Sequence, residues 1–422
     1  MSAGCIHIIG LGVAAQANLT LDAEKTLGQA EIVIGSRRQL DTCQHYFSKA
    51  NPAQQTIELP PLSDLANLLA QHQGKHIVIL ASGDPLYFGI GRWLSARVAT
   101  DELRFYPAVS SIQAACHSIG LSLQDAKAVS LHGRPLATLR RHLAQQKYLV
   151  LLTDQHSTPH AISQLCQEAG FGESSLWVCE TLGYPEQQIR QFRASELATD
   201  TAVTFDALNV CILKVTGRAS FLPSFPGIPD AHFITDAEAG RGLITKREVR
   251  LAILSLLQPA PGDIAWDIGA GCGGVAVEWA LWNPLGEVHA IEHHEARLSC
   301  LAQNRERFGV VNNLHIKAGR APETLADLPA ANKVFIGGSD GELAGLLSSL
   351  WASLPANGVI VASAVMENTR ATLIEFAQSL KNDQNAGVET MQISVSKGGE
   401  LAGQLIYRPA LAVTLFKYSK LS

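Results

Sequence analysis

The chain has 422 residues, 47% hydrophobic and 17% charged, with a formal charge of −5. That length exceeds one ordinary core and points to about two or three domains. The composition suits a compact soluble enzyme, with no apolar run able to span a bilayer and no Lys/Arg run to attract nucleic acid. Eight cysteines without a C-x-x-C pair argue against a disulfide framework or a zinc site and make the cytoplasm the expected compartment.

The first residues lack the basic region of an export signal and read as a strand and turn. Apolar runs at 5–9, 32–34, 77–80, 103–106, 148–152, 176–179 and 210–215 alternate with helical stretches, and a further strand is expected over 128–131. This is the pattern of an α/β region. Loop signatures follow in order: Ile8-Ile-Gly-Leu-Gly12, Gly83-Asp84-Pro85 with Gly89 and Gly91, Ser110-Ser111-Ile-Gln113, Ser130-Leu-His132-Gly-Arg134, and Thr181-Leu182-Gly183. Each alone is an ordinary turn. His132 and Arg134 are candidates to meet a substrate, or else hydrogen-bond locally and face solvent. His156 and His160 are four apart, but Thr158-Pro159 interrupts a shared helix, so no metal is expected there. Pro223, Pro226 and Pro229 mark 217–230 as a linker between domains at 1–216 and 231–422.

The second half opens with a helix over 246–257 and a buried strand over 262–268. The glycine loop Asp267-Ile-Gly-Ala-Gly-Cys-Gly-Gly274 and a helix over 275–281 follow. Strands are expected at 288–291, 314–317, 333–336 and 359–362. Extended runs at 389–396 and 410–418 suggest an antiparallel hairpin at the edge of a parallel sheet. Glycines suit this loop because the turn needs unusual φ/ψ and a ligand must approach bare backbone at a helix N-terminus. Glu292, about 20 residues on, can accept ribose hydroxyls. Gly269, Gly271 and Gly274 also fit the dinucleotide pattern G-x-G-x-x-G. Asp267 favours S-adenosylmethionine instead, since a carboxylate suits an ammonium group and repels pyrophosphate.

In this order, the loops of the first half resemble the tetrapyrrole methylase family, in particular its cobalamin branch that methylates C5. The resemblance covers residues 1–215. It implies two α/β subdomains with a cleft, and S-adenosylmethionine touched by Gly83, Asp84, Pro85, Ser110, Ser111, Thr181, Leu182 and Leu208. Val13 and Ala14 depart from the usual Gly-Pro-Gly of the first loop.

Residues 240–418 resemble the C15-methylating, decarboxylating enzymes of the same pathway, through Leu243-Ile-Thr245-Lys246-Arg-Glu-Val-Arg250, the glycine loop, Gly319-Arg320-Ala321-Pro-Glu323, Gly337-Gly338-Ser339 and Ser363-Ala-Val-Met-Glu-Asn368. The resemblance implies a Rossmann-like class I methyltransferase fold in which Thr245, Gly269, Ala270, Gly271, Cys272, Gly273, Glu292 and Ala321 contact the donor. Cys272 replaces a usual Thr or Ser, and Arg320 a frequent Asp. The fusion implies methylation of a precorrin, or of its cobalt analogue, at C5 and C15 with loss of the ring C acetate carboxyl group. Decarboxylation leaves electrons that the conjugated macrocycle carries to a meso carbon, so catalysis rests on positioning and water exclusion. Candidate cations for the substrate's carboxylates are Arg241, Lys246, Arg247, Arg250, Lys397 and Arg408, with the Gly337-Gly338-Ser339 turn as a backbone contact. The competing readings are an RNA methyltransferase and a corrinoid carrier with one inactive half. A homo-oligomer is compatible with the sequence, and no membrane or nucleic acid partner is expected.

Overall fold

A computed structural model describes residues 5–47, 53–237, 242, 244–339 and 341–421. Two compact units emerge: Met1–Leu136 with Gln146–Arg218, and Ala137–Gln145 with Ala219–Ser422.

The first unit holds two five-stranded sheets. One runs Gln55–Glu58, Ile32–Gly35, Ile77–Ala81, Ile6–Gly10, Leu103–Tyr106, with every pairing parallel. Its apolar runs are continuous because both faces are covered. Along Ile6–Gly10, Ile6 and Ile8 join one core cluster with Ile34, Leu65 and Ile79, whereas Ile9 joins another with Leu27, Val33 and Leu80. The other sheet runs Lys127–Ser130, Tyr148–Leu152, Asn209–Lys214, Ser175–Glu180, Gln188–Arg193; its first pairing is parallel and the rest are antiparallel. Gln55–Glu58 and Gln188–Arg193 carry no apolar signal in the sequence because they are edge strands with largely exposed polar residues.

In the second unit, Leu314–Ala318, Glu287–Glu292, Ile264–Ile268, Lys333–Ile336 and Val359–Ala364 form a parallel sheet in that order, extended by Val413–Lys420 and Ala386–Ile393. The last two strands pair antiparallel with each other, and Val413–Lys420 also pairs antiparallel with Val359–Ala364. No tight turn joins them. The chain between them forms a separate ribbon, Ser396–Leu401 with Gln404–Pro409, which the sequence reading lacked.

The division differs from a single cut at 217–230. From residue 219 the proline-rich stretch packs into the second unit: Ile228 is fully buried, and the Gly227 and Ile228 amides donate to Glu278 at 2.9 and 3.0 Å. Arg250, also fully buried, donates to Glu278 at 2.8 Å and to Asp230 at 3.0 Å, so it is a core ion-pair residue and not a rim cation. The segment Ala137–Gln145 also belongs to this unit. Arg141 donates to Asn313 Oδ1 at 3.1 Å and to the Ala280 and Leu281 carbonyls at 3.0 Å each, in the last turn of the helix Gly274–Trp282, where carbonyls lack partners within the helix.

Candidate active sites

Each unit has its own cavity. In the second, about 420 Å³ opens at the carboxyl ends of the parallel strands, where open α/β sheets bind ligands. The glycine loop forms one wall. Gly269, Gly271 and Gly273 have φ of 72°, 59° and 88°, values that glycine alone adopts without strain. A side chain at Gly269 would place Cβ 2.7 Å from Gly338 N and 2.8 Å from Gly338 O, so two bare backbones meet there. Glu292 pins the loop: one oxygen accepts from Gly271 N and the other from His293 N and His294 N, each at 2.9 Å.

Of the expected donor contacts, Thr245, Gly269, Ala270, Gly271, Glu292 and Ala321 lie on the cavity wall, as do Lys246 and the turn Gly337, Gly338 and Ser339. Asp267, Cys272 and Gly273 lie off it. Asp267 is 1% exposed, with the Ala276 backbone amide as the one polar group among the described residues acting in favour of its charged form. Burial pushes its carboxyl up to about 7, the Glu292 charge adds to this, and the Ala276 backbone amide offsets it only in part. Cys272 is fully buried, its thiol pushed up to about 12 by burial, and its Sγ lies 3.8 Å from Asp236 Oδ1. Among the expected cations, Arg247 and Lys397 pair with Glu248, Arg408 sits on the exposed ribbon and does not line the cavity, and Arg241 lies outside the described residues. The sequence reading did not single out Arg297 or His293, and it took Arg320 as a change at the adenine; all three line the wall. Arg320 and His293 each follow a strand's carboxyl end, which is the signal that could have marked them.

The first unit encloses about 1600 Å³. Gly83, Ser111, Leu182 and Leu208 line it, together with His132 and Arg134. Val13 and Ala14 also lie on the wall, so the altered first loop still reaches the cavity. Asp84, Pro85, Ser110 and Thr181 stand behind it. Asp84 Oδ1 accepts from Leu86 N at 2.9 Å and Tyr87 N at 3.0 Å, which shapes the loop. Ser110 caps the helix Ser111–Ser118 in a reciprocal box with Gln113. Thr181 holds φ of 45°, costly for a β-branched residue, and its amide donates to Leu208 O at 2.8 Å, which fixes the wall between Leu182 and Leu208. The sequence reading missed Arg38, Arg92 and Arg97 and the aromatic residues Tyr87, Phe88 and Trp93, all on the wall. The Arg97 guanidinium lies over Trp93, 4.5 Å from the ring centroid.

Two cavities with glycine-turn walls at strand carboxyl ends, one in a tetrapyrrole-methylase-like unit and one in a Rossmann-like unit, define a methyltransferase of two parts. Family models agree half by half: tetrapyrrole (corrin/porphyrin) methylases match residues 5–198, and a precorrin methyltransferase domain matches 236–420. A precorrin-6Y C(5,15)-methyltransferase [decarboxylating] of Sinorhizobium sp is 34% identical over 98% of this chain and 96% of its own length. A protein of the same name from Mycobacterium tuberculosis H37Rv is 30% identical over 98% of this chain and its full length. A crystal structure titled precorrin-6y C5,15-methyltransferase, from Geobacter metallireducens GS-15, is 32% identical, with a TM-score of 0.42, over 46% of this chain and 98% of that one. The chain belongs to the family of decarboxylating precorrin-6Y C5,15-methyltransferases and is an S-adenosylmethionine-dependent C-methyltransferase. Among the described residues no helix is long and apolar enough to cross a membrane.

Proposed function

We propose that the first unit methylates precorrin-6Y at C5, and that the second methylates it at C15 with loss of the ring C acetate carboxyl group. Both would draw on S-adenosylmethionine. The observation that carries this reading is the presence of two separate cavities, each walled by bare glycine backbone within its own unit. The residues suit the donor. In the second unit Glu292 and the loop amides offer acceptors and donors to a nucleoside, and the Gly269–Gly338 contact leaves no side chain in its way. In the first, Gly83, Ser111, Leu182 and Leu208 would line the donor's part of the cleft.

A substrate rimmed with carboxylates needs cations, and the wider cavity supplies Arg38, Arg92, Arg97 and Arg134, with Tyr87, Phe88 and Trp93 as apolar faces for the macrocycle. Lys246, Arg297 and Arg320 would serve in the second. Loss of carbon dioxide is driven by the conjugated ring, which accepts the electron pair and delivers it to C15; after methyl transfer C15 releases its hydrogen as a proton and the methylene left by the acetate takes one up. What the protein must supply is a held geometry, a largely dry pocket and a route for these protons. Incubation of the full chain with precorrin-6Y and methyl-labelled donor, read by mass spectrometry, tests the proposal. A product with two labelled methyl groups and one carbon dioxide fewer is expected. No methyl transfer to the macrocycle refutes it.

A further inference from the structure

Methylation of a meso carbon is incomplete until that carbon loses its hydrogen. When C5 attacks the sulfonium methyl, a C–C bond forms and the C–S bond breaks, with its electron pair left on sulfur as S-adenosylhomocysteine. C5 then carries both hydrogen and methyl, and the macrocycle holds a delocalised positive charge. Transfer of the proton to a base returns the C–H pair to the ring and restores conjugation. The first unit therefore needs a base inside its cavity.

We propose that His132 Nε2 is that base. His132 lies on the cavity wall with Gly83, Leu182 and Leu208, the residues placed at the donor. Its Nδ1 lies 3.3 Å from the Thr153 carbonyl oxygen. A carbonyl can only accept, so Nδ1 carries the proton in the neutral ring and Nε2 presents its lone pair. No described residue partners Nε2.

Asp154 steadies this arrangement. One carboxylate oxygen accepts from Gly133 N at 2.7 Å, and the other from His156 N and Ser157 N at 2.9 and 2.7 Å. These bonds tie the turn that carries His132 to the loop opposite, and they leave a negative charge beside the imidazolium that would form.

The other titratable groups on the wall are poorer bases. The three backbone amides and the charge of His132 hold Asp154 below the usual carboxylate range, despite an opposing contribution from burial. His156 Nε2 is paired with the Gln155 amide at 3.1 Å. Burial pushes the Cys179 thiol up to about 12. Phenols and guanidinium groups hold their protons near neutral pH.

The assignment rests on the C5 reading of the first unit, and its test separates the two. Full-length wild type, His132→Gln and His132→Ala are assayed for C5 methylation of precorrin-6Y, with thermal melting to check folding and calorimetry to follow donor binding. His132→Gln should lower kcat by about 100-fold or more, with KM and donor affinity little changed, and added imidazole should restore activity to His132→Ala. A raised KM with kcat kept would make His132 a carboxylate contact and overturn the assignment. So would an unchanged rate, or a folded His132→Ala protein that imidazole does not rescue. Wild type that makes no C5-methylated product overturns the functional reading and this assignment with it; active wild type with equally active His132→Gln overturns this assignment alone.

Discussion

Asp267→Asn is expected to stabilise the second unit, and increasingly so as pH rises. The side chain is 1% exposed, and burial raises its carboxyl from 3.8 to about 7, with only a partial offset from the Ala276 backbone amide. Below about pH 4 the group is protonated in both folded and unfolded chains and costs nothing. Between about pH 4 and 7 the unfolded chain releases its proton while the folded chain keeps it, so stability falls by about 1.4 kcal/mol per pH unit. Above about pH 7 the full penalty persists, ~4 kcal/mol for a shift of roughly three units. Asparagine cannot ionise and escapes this slope. Any cost of burying its amide is the same at every pH and leaves the slope intact. Hydrogen exchange of peptides spanning the strand Ile264–Ile268, compared between the two full-length proteins at each pH, cancels the intrinsic exchange rate. The ratio of protection should grow about 100-fold between about pH 5 and 7 and then level off. A constant ratio from about pH 5 to 8 would refute the late titration of Asp267. Saturating donor adds a second reading. An ammonium group reaching Asp267, directly or through water, would lower its pKa and flatten the slope, whereas a carboxyl with no part in binding would titrate as before.

Gly269→Ala should cost ~1–2 kcal/mol for its left-handed backbone and ~1–3 kcal/mol more for pressing Cβ onto Gly338. The melting temperature should fall and calorimetry should find one donor site per chain in place of two; two sites with unchanged melting contradict the contact. Glu292→Gln keeps one acceptor for the amides of Gly271, His293 and His294, and Glu292→Ala keeps none, so donor affinity should fall in that order, by about tenfold or more for alanine. Equal loss in both variants argues that charge alone matters. Arg141→Ala leaves Asn313 Oδ1 and the Ala280 and Leu281 carbonyls without this donor and should destabilise the second unit by ~1–3 kcal/mol, measured by urea unfolding through tryptophan fluorescence. Wild-type stability would show that Ala137–Gln145 packs there without contributing.

The sequence revealed most where a strand is covered on both faces or a turn demands glycine. Ile264–Ile268, Lys333–Ile336 and Tyr148–Leu152 lie inside their sheets and announce themselves as apolar runs, and Gly83 and Gly269–Gly271 announce the cavity walls. It revealed least where polarity misleads. Arg250 looks like a surface cation in a basic motif, yet Glu278 and Asp230 neutralise it in the core, and both partners are remote in sequence. Asp84 and Ser110 sit in loops that reach the donor's expected place, yet their side chains are spent on Leu86, Tyr87 and Gln113 amides, so they shape the wall and do not form it. Prolines at 223, 226 and 229 suggest a tether, but buried Leu222 and Ile228 outweigh them and hold the stretch against its unit.

The two units reach a similar wall by different chain routes. In the first, Gly12 and Gly83 follow the adjacent parallel strands Ile6–Gly10 and Ile77–Ala81; Gly83 N donates to Gly12 O at 3.1 Å, and a Cβ on Gly10 would meet Gly83 O at 2.7 Å. In the second, Gly269 and Gly338 follow the adjacent parallel strands Ile264–Ile268 and Lys333–Ile336 and meet at similar distance. Bare backbone is needed at Gly10 and at Gly269, where a Cβ would press on the neighbouring turn, whereas a Cβ on Gly338 would meet nothing within 4 Å. A single glycine motif records only half of such a contact, which is why G-x-G-x-x-G alone leaves nucleotide and methyl donor both open. What distinguishes the units is the space in front of the turns. About 1600 Å³ with four arginines suits a donor together with a large polyanionic ring, whereas about 420 Å³ suits the donor and only the reacting edge of that ring. On the proposed function, the narrower site would take the macrocycle edge-on, with C15 and the ring C acetate leading, which is the orientation that decarboxylation next to the methylated carbon requires.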